Sequence, residues 1–475
     1  MAEAKISFGT AGWRGIISND FTFDNVKIVS QAIADYINEK KGNKEPEAVI
    51  GYDPRFLGED FSAAVAEVLA ANGIKVHYSE KDVPTPAISY YIIKNRLSGG
   101  INITASHNPP QYSGIKFSPE WGGPALPETT SKIEENCKAI QSEKDRINTI
   151  DFSEARDKGD IKVVDLSECY IERIKDIIDT ELIKSKISVV YDAMHSSGRE
   201  YMPRILSGAK LKVINSNRDV LFGGHRPEPS VEYLDELKNI VVNEGFDIGI
   251  ATDGDADRFG IIDTDGTFIT PNQLMGLVLY YLHKKGYKGV AVRSVMTSSF
   301  MDAVAHSLGV EVIETPVGFK YIGDILTKQD MIVGGEESAG LTIGGHLPEK
   351  DGILACLLAA EMRAGEGKPL VEILNMLQEK VGRFITARKN YKVSEEAMKE
   401  LRSKMESELP EDFGSFKVKE VNRIDGYKFL FDKENAWLGM RFSGTEPVVR
   451  IYVESSAREN VEELLNSAEK LFNLV

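Results

Sequence analysis

Cysteine is nearly absent from this 475-residue chain: Cys137, Cys169 and Cys356 stand far apart, with no Cys-x-x-Cys pair. That spacing excludes a disulfide framework and a thiolate zinc knuckle. Long apolar runs are missing too. None approaches the roughly 20 residues that cross a bilayer, and the opening MAEAKISFGTAGWRG lacks the basic region and apolar core of a secretory signal. The expectation is a cytoplasmic protein with no membrane partner. Positive charge is in short supply as well: 57 Lys and Arg against 73 Asp and Glu leave a net −16 at neutral pH. A general nucleic-acid binder gains its affinity by neutralising phosphates, so no nucleic-acid partner is expected. There is no Walker A sequence, and the glycines of GTAGWRG (9–15) do not fit G-x-G-x-x-G, which leaves nucleotide binding without support.

What is present is one pattern, three times. At about 100–200 residues per domain, a chain of this length implies three or four domains. Three regions read as strand, helix, strand, helix, strand. The first carries AVIGYDPR (48–55), IKVHYSE (74–80) and GGINITASHNP (99–109). The second carries ISVVYDAMHSSG (187–198), LKVINSN (211–217) and DIGIATDGDADR (247–258). The third carries GVAVRSVMTSS (289–299), VEVIETPVG (310–318) and MIVGGEESAG (331–340). Short β-branched runs alternating with helical periodicity imply parallel sheets with helical crossovers. The fold class is therefore α/β: three similar doubly wound α/β domains, at 1–150, 151–262 and 263–385, followed by a smaller α+β C-terminal domain at 386–475. The link near 383–392 is a candidate hinge.

In each unit a polar loop follows the last of these strands, where open α/β sheets place their ligands. The loop DGDADR alternates Asp253, Asp255 and Asp257, which in an extended segment would aim three carboxylates at one small volume. Repulsion among them favours a hard cation held by oxygens, Mg²⁺ or Ca²⁺, over the alternative of a solvated acidic turn. The EF-hand pattern fails, because Arg258 holds the glycine position and Thr264 that of the closing glutamate. In TASHNPPQYSGIK (104–116), Ser106 lacks the flanking glycines of a hydrolase elbow, and an extended backbone would point His107 away from it. A serine there is either a turn residue or, beside a metal loop, a phosphate carrier whose oxygen completes the metal's shell. In GGEESAG, Glu336 and Ser338 suit paired sugar hydroxyls or an ordinary turn equally well. RFSGTEPVVR places Arg441, Ser443, Gly444 and Thr445 in a turn with Arg450 on the returning strand, the parts of a phosphate nest or else a plain β-turn with surface arginines.

These four stretches, in this order and across essentially the whole chain, resemble the α-D-phosphohexomutases, which include phosphoglucomutase, phosphomannomutase and phosphoglucosamine mutase. The resemblance implies an isomerase that moves a phosphoryl group within a hexose through a phosphoserine and a hexose 1,6-bisphosphate. It implies Ser106 as that serine and Asp253, Asp255 and Asp257 as Mg²⁺ ligands together with the Ser106 oxygen. Lys116 matches a proton-moving lysine. Glu336 and Ser338 match the sugar loop, and Arg441, Ser443, Gly444, Thr445 and Arg450 the loop gripping the distal phosphate. Arg14, Arg258, Lys320, His346 and Lys350 fall at positions lining the site, with Arg14 and His346 placed among the catalytic groups. The implied partners are phosphorylated hexoses, acting on a monomer or homodimer. Ser113-Gly114 replaces the family's frequent Asn-Gly before the lysine. The forms GEES and EKDG are similar to glucose-preferring members, whereas the chain length is nearer that of dual-specificity microbial enzymes. A sugar-phosphate phosphatase and a non-enzymatic sensor are the competing readings.

Overall fold

The computed structural model describes residues 6–474, apart from Thr10, Ala11, Lys41, Asn43, Lys44, Glu434 and residues 444–446. The first three units share one plan. A central strand, Glu47–Tyr52, Ser188–Asp192 or Val290–Ser294, is flanked on both sides by parallel neighbours. The third parallel strand of each unit, Gly99–Ile103, Ile248–Thr252 or Met331–Glu336, is followed by an antiparallel return strand. These returns are Tyr112–Pro119, Phe259–Asp263 and Gly340–Ile343. The sheets are therefore mixed rather than wholly parallel, and the three chemically loaded loops occupy equivalent hairpin tips. A non-glycine residue turns each tip in the left-handed region: Ser106 (φ 53°), Ala256 (φ 54°) and Ala339 (φ 67°).

Local sequence accounts for the helices between the strands. In Gly58–Ala71, Phe61, Val65, Val68 and Leu69 recur at helical spacing and are buried. Pro271–Lys284 begins with Pro at its first position and a capping box in which Thr270 and Gln273 satisfy each other's backbone N–H groups. Gly352–Glu366 starts at the Asp351 cap and ends at left-handed Gly367. This last helix is apolar nearly all round, because it packs on strands of both the second and third units. Those two units consequently share one core, which includes Ile250, Phe259, Leu341, Leu354 and Leu358.

Two expectations about organisation need correction. The first sheet takes in Ile161–Val164, which pairs parallel with Lys75–Ser79, so the first unit runs past residue 150. The segment foreseen as a hinge at 383–392 is mostly the strand Ile385–Lys392, paired along its whole length with Val448–Ser455. Of that segment only 383–384 lie outside the strand, and Gly382 just before them has φ 97°.

The fourth unit is a six-stranded antiparallel sheet with helices Glu395–Ser407 and Arg458–Leu471, and its core is rich in phenylalanine: Phe413, Phe416, Phe429 and Phe431. It docks on the third unit through Trp437 and Tyr452, which pack with Val295 and Met296. Buried Glu454 accepts from the Trp437 Nε1–H at 2.6 Å and from the Ser299 N–H at 3.0 Å. No described helix is long and apolar enough to cross a membrane.

Candidate active site

The hairpin tip at 104–111 and that at 253–258 meet face to face. Ser106 is 1% exposed, and its Oγ–H donates to Asp253 Oδ2 at 2.8 Å across 147 residues of sequence. Close approach of the two loops requires Gly254, since a Cβ there would lie 2.6 Å from the Ser106 carbonyl oxygen. Because Ser106 is left-handed rather than extended, His107 does not point away, and its Nδ1 lies 3.4 Å from Ser106 Oγ. Burial, reinforced by Arg258, Arg14 and Lys116, pushes the His107 pKa well below its usual value. The ring is therefore neutral at pH 7.

Asp253, Asp255 and Asp257 are fully buried, with ligand oxygens all within 4.8 Å of one another. Their segment is a turn, not the extended run expected. Lys116, entering from the return strand, reaches Asp255 Oδ2 at 2.5 Å and Asp257 Oδ2 at 2.7 Å. Lys350 pairs with Asp257 at 3.0 Å and with Glu349 at 3.2 Å. The charge is shared unevenly. Burial, then Asp257 and Asp255, push the Asp253 carboxyl well above the ordinary range. Burial also works against the Asp257 carboxylate, but Lys116, Lys350 and Arg258 overcome it and hold its pKa well below that range. Burial likewise opposes charge on Lys116, and the two carboxylates outweigh it, so its pKa is raised. Asp255 Oδ1 and Asp257 Oδ1 are buried without a hydrogen-bond partner among the described residues. Two unmet carboxylate oxygens beside the Asp253 carboxyl and the Ser106 hydroxyl are a donor set that fits a hard divalent cation.

Arg14 Nη1 donates to Asn108 Oδ1 at 2.6 Å, and burial followed by Arg258 lowers its pKa to about 10, which leaves it charged. The Arg258 N–H donates to Asp253 Oδ1 at 2.9 Å. Glu336 is 5% exposed and accepts the Gly318 N–H at 2.7 Å; burial, then Glu337, raises its pKa to about 7. Ser338 is half-buried on the same tip. Lys320, just past Gly318, stands over the Tyr321 ring with its pKa lowered by burial. His346 departs from its expected place among the catalytic groups. Its ring is wholly buried, with Nε2 2.8 Å from Asp351 Oδ2, and Asp351 also takes the Tyr170 hydroxyl at 2.8 Å and caps the helix Gly352–Glu366. It stands at the start of that helix, in the segment that also carries Lys350.

Arg441 and Arg450 are direct partners across adjacent antiparallel strands, so their guanidinium groups share one face. Each keeps a buried Nε–H without a partner among the described residues. Ser443 continues the Arg441 strand and donates its N–H to the Val448 carbonyl at 2.9 Å, while Gly444 and Thr445 lie outside the described residues. Sequence reasoning missed Asp425, which pairs with Arg441 at 2.8 Å and accepts the Val317 N–H at 3.0 Å, tying the fourth unit to the loop just before the helix Phe319–Leu326 that carries Lys320. It also missed Thr85, whose hydroxyl donates to Asp255 Oδ2, and Arg55 beneath the Ser106 loop. Neither Asp425 nor Thr85 has a local signature. An Asp-Pro-Arg ending a buried strand was the available hint for Arg55.

With this geometry in hand, comparison with known proteins is informative. Family models described as phosphoglucomutase/phosphomannomutase match residues 5–144 (alpha/beta/alpha domain I), 168–266 (domain II), 270–381 (domain III) and 389–471 (C-terminal domain). A Thermococcus kodakarensis protein named phosphoglucomutase/phosphomannomutase is 32% identical over 467 residues, 98% of each chain. A Pyrococcus horikoshii protein provisionally named phosphoglucosamine mutase is 32% identical over 469 residues, again 98% of each. A crystal structure from Thermus thermophilus, provisionally named a phosphomannomutase, superposes with a TM-score of 0.85 at 32% identity, covering 99% of this chain and 100% of that one.

Proposed function

The chain belongs to the phosphoglucomutase/phosphomannomutase family and is a phosphohexomutase; from that premise we propose that it interconverts glucose 1-phosphate and glucose 6-phosphate through a phosphorylated Ser106 and a hexose 1,6-bisphosphate. The observation that carries this reading is the Ser106 hydroxyl, 2.8 Å from Asp253 in a buried cluster of side chains near the charges of Lys116 and Arg258.

In the proposed cycle the phosphoryl group passes from Ser106 Oγ to the free hydroxyl of a hexose monophosphate: the P–Oγ bond breaks as the sugar O–P bond forms, and the hydroxyl proton ends on Ser106 Oγ. The bisphosphate then turns around, returns its other phosphate to Ser106, and leaves as the isomer. Asp253, Asp255 and Asp257, with a Ser106 oxygen, would hold Mg²⁺, which when bound supplies Lewis-acid polarisation of the phosphoryl oxygens. Lys116 is held protonated by its two carboxylate partners, so it serves as a proton donor and phosphate partner; it can accept a proton only once those carboxylates are neutralised. Arg14 and Arg258 flank the phosphoryl group with charge fixed in place before reaction. Glu336 and Ser338 orient the ring hydroxyls. Arg441 and Arg450 grip the phosphate that does not react, and one such grip serves both orientations of the bisphosphate. Glu337 in the GEES tip and the EKDG segment at 349–352 favour glucose over its epimer.

The test is kcat/KM for glucose 1-phosphate, mannose 1-phosphate and glucosamine 1-phosphate side by side, with Mg²⁺ and a trace of hexose 1,6-bisphosphate. Glucose 1-phosphate should exceed the others by at least about tenfold, the scale on which one well-placed polar contact discriminates. Comparable values would refute the glucose assignment. Near-normal turnover by Ser106→Ala would refute the phosphoserine, and stoichiometric release of inorganic phosphate would make the protein a phosphatase.

A further inference from the structure

Beneath the Ser106 loop lies a guanidinium with no exposure at all. Arg55 follows the central strand Glu47–Tyr52, and each of its N–H bonds is spent on this protein. Nε donates to Asp53 Oδ2 at 3.0 Å. Nη1 donates to the carbonyls of Pro109 at 2.8 Å and Tyr112 at 3.0 Å. Nη2 donates to the carbonyls of Ser106 at 2.6 Å and Asn108 at 2.7 Å. A guanidinium has five donors, and all five are engaged. Four of them hold main-chain oxygens, three in the loop (Ser106, Asn108 and Pro109) and the fourth on Tyr112, the first residue of the return strand.

The other side of Ser106 is held by the same assembly. Its N–H donates to Thr104 Oγ1 at 2.8 Å, and the Thr104 hydroxyl donates to Asp53 Oδ2 at 2.5 Å. Asp53 also accepts the Arg55 N–H on Oδ1 at 3.1 Å. Ser106 is thus gripped at both its N–H and its carbonyl by one ion pair, while its backbone stays in a left-handed conformation that costs a non-glycine residue energy. Phe222 of the second unit closes the guanidinium from behind, its ring centroid 5.0 Å from Cζ.

We propose that Arg55 is the positioning residue of the phosphoryl-transfer centre: with Asp53 and Thr104 it sets the left-handed turn that aims Ser106 Oγ at the Asp253 carboxylate. This rests on the reading of Ser106 as the phosphoryl carrier. Arg55 is not a phosphate ligand, because it has no donor left for a phosphate oxygen. That separates it from Arg14 and Arg258, which face the phosphoryl group. The role also demands arginine in particular. A lysine keeps the charge that balances Asp53 but has three donors on one atom, so it cannot span four carbonyls from Ser106 to Tyr112.

The decisive comparison is Arg55→Lys, Thr104→Val and Ser106→Ala against the parent enzyme with glucose 1-phosphate. Kinetics would be read alongside thermal unfolding and amide hydrogen exchange of peptides covering 104–112. Arg55→Lys should lower kcat by about 100-fold, as expected for a reacting group displaced by about 1 Å. KM should stay within about threefold, and exchange in 104–112 should accelerate by at least about tenfold. Thr104→Val, a gentler change that releases the Ser106 N–H, should lower kcat by about tenfold with the same pattern, and it decides the matter if Arg55→Lys does not fold. Parent-like kcat in either folded variant would overturn the proposal, as would a kcat loss with unchanged exchange in the loop. If Ser106→Ala itself turned over normally, the phosphoserine reading would fall instead, so the two failures are distinguishable.

Discussion

Replacing Gly254 by alanine tests whether catalysis depends on how closely the loops carrying Ser106 and the three aspartates approach. The backbone of Gly254 is not left-handed, so alanine is conformationally permitted there, and the objection is steric alone. The added Cβ would stand 2.6 Å from the Ser106 carbonyl oxygen and 3.1 Å from Pro227 Cγ. Ordinary contact begins at 3.4 Å, so the loops must part by about 0.8 Å. Added to the 2.8 Å between Ser106 Oγ and Asp253 Oδ2, that displacement takes the pair to roughly 3.6 Å, beyond hydrogen-bond reach. Misplacement on this scale costs about 10² in rate. Overpacking should destabilise by about 1–3 kcal/mol, offset in part by about 0.4–1 kcal/mol from the stiffer unfolded chain. Steady-state kinetics with glucose 1-phosphate should therefore show a hundredfold loss in kcat, and calorimetry a Tm lowered by only a few degrees with unfolding still cooperative. Parent-like kcat would refute the reasoning. A loss of activity matched by loss of cooperative unfolding would show that the damage is not local.

Other perturbations probe the remaining parts. Arg441→Ala should cost about 1.5–3 kcal/mol of transition-state binding, or 10–150-fold in kcat/KM, with both kcat and KM affected; a change in KM alone would mean that its grip is not coupled to the chemical step. Glu336 has a folded pKa of about 7 against 4.5 for the free group, so the folded state binds its proton more tightly than the unfolded chain does. The stability contributed by that proton is full below about pH 4.5 and is lost as pH rises through about 7. Glu336→Gln should flatten this slope in a plot of Tm against pH, and an unchanged slope would remove Glu336 as its source. Mg²⁺ should raise the Tm of the chelator-treated protein, by the equivalent of about 2.7 kcal/mol at one hundred times its Kd, and Asp257→Asn should remove the increment; an undiminished rise would place the metal elsewhere.

The site was legible where its chemistry lies within a few consecutive residues. TASHNP and DGDADR stand out as polar loops that each end a buried strand, and their candidate roles come from the family resemblance. GEES and RFSGTEP stand out in the same way, and the sugar and phosphate roles expected of them rest on that resemblance. The repeating strand–helix pattern also survives local reading, because a buried parallel strand is a short run of Val and Ile between turn residues. Unit boundaries were less legible. Ile161–Val164 lies beyond two helices from the sheet it completes, and nothing in its four residues says which edge it will join. The segment 383–392 read as a link, and its pairing with Val448–Ser455 is decided by a strand some sixty residues away.

The amino-acid sequence by itself displayed the candidate groups, Ser106 and the three aspartates, and the number and kind of folded units. Only the tertiary structure decided which charges meet. It placed Lys350 on Asp257 and withdrew His346 behind a helix start. It set Asp425 against Arg441 and Arg55 under four carbonyls from Ser106 to Tyr112. The physical reason is that a reactive side chain is chosen by its own chemistry, which a short motif displays. Its field, its proton affinity and its aim are set by neighbours that arrive from distant parts of the chain and acquire their roles only through burial together.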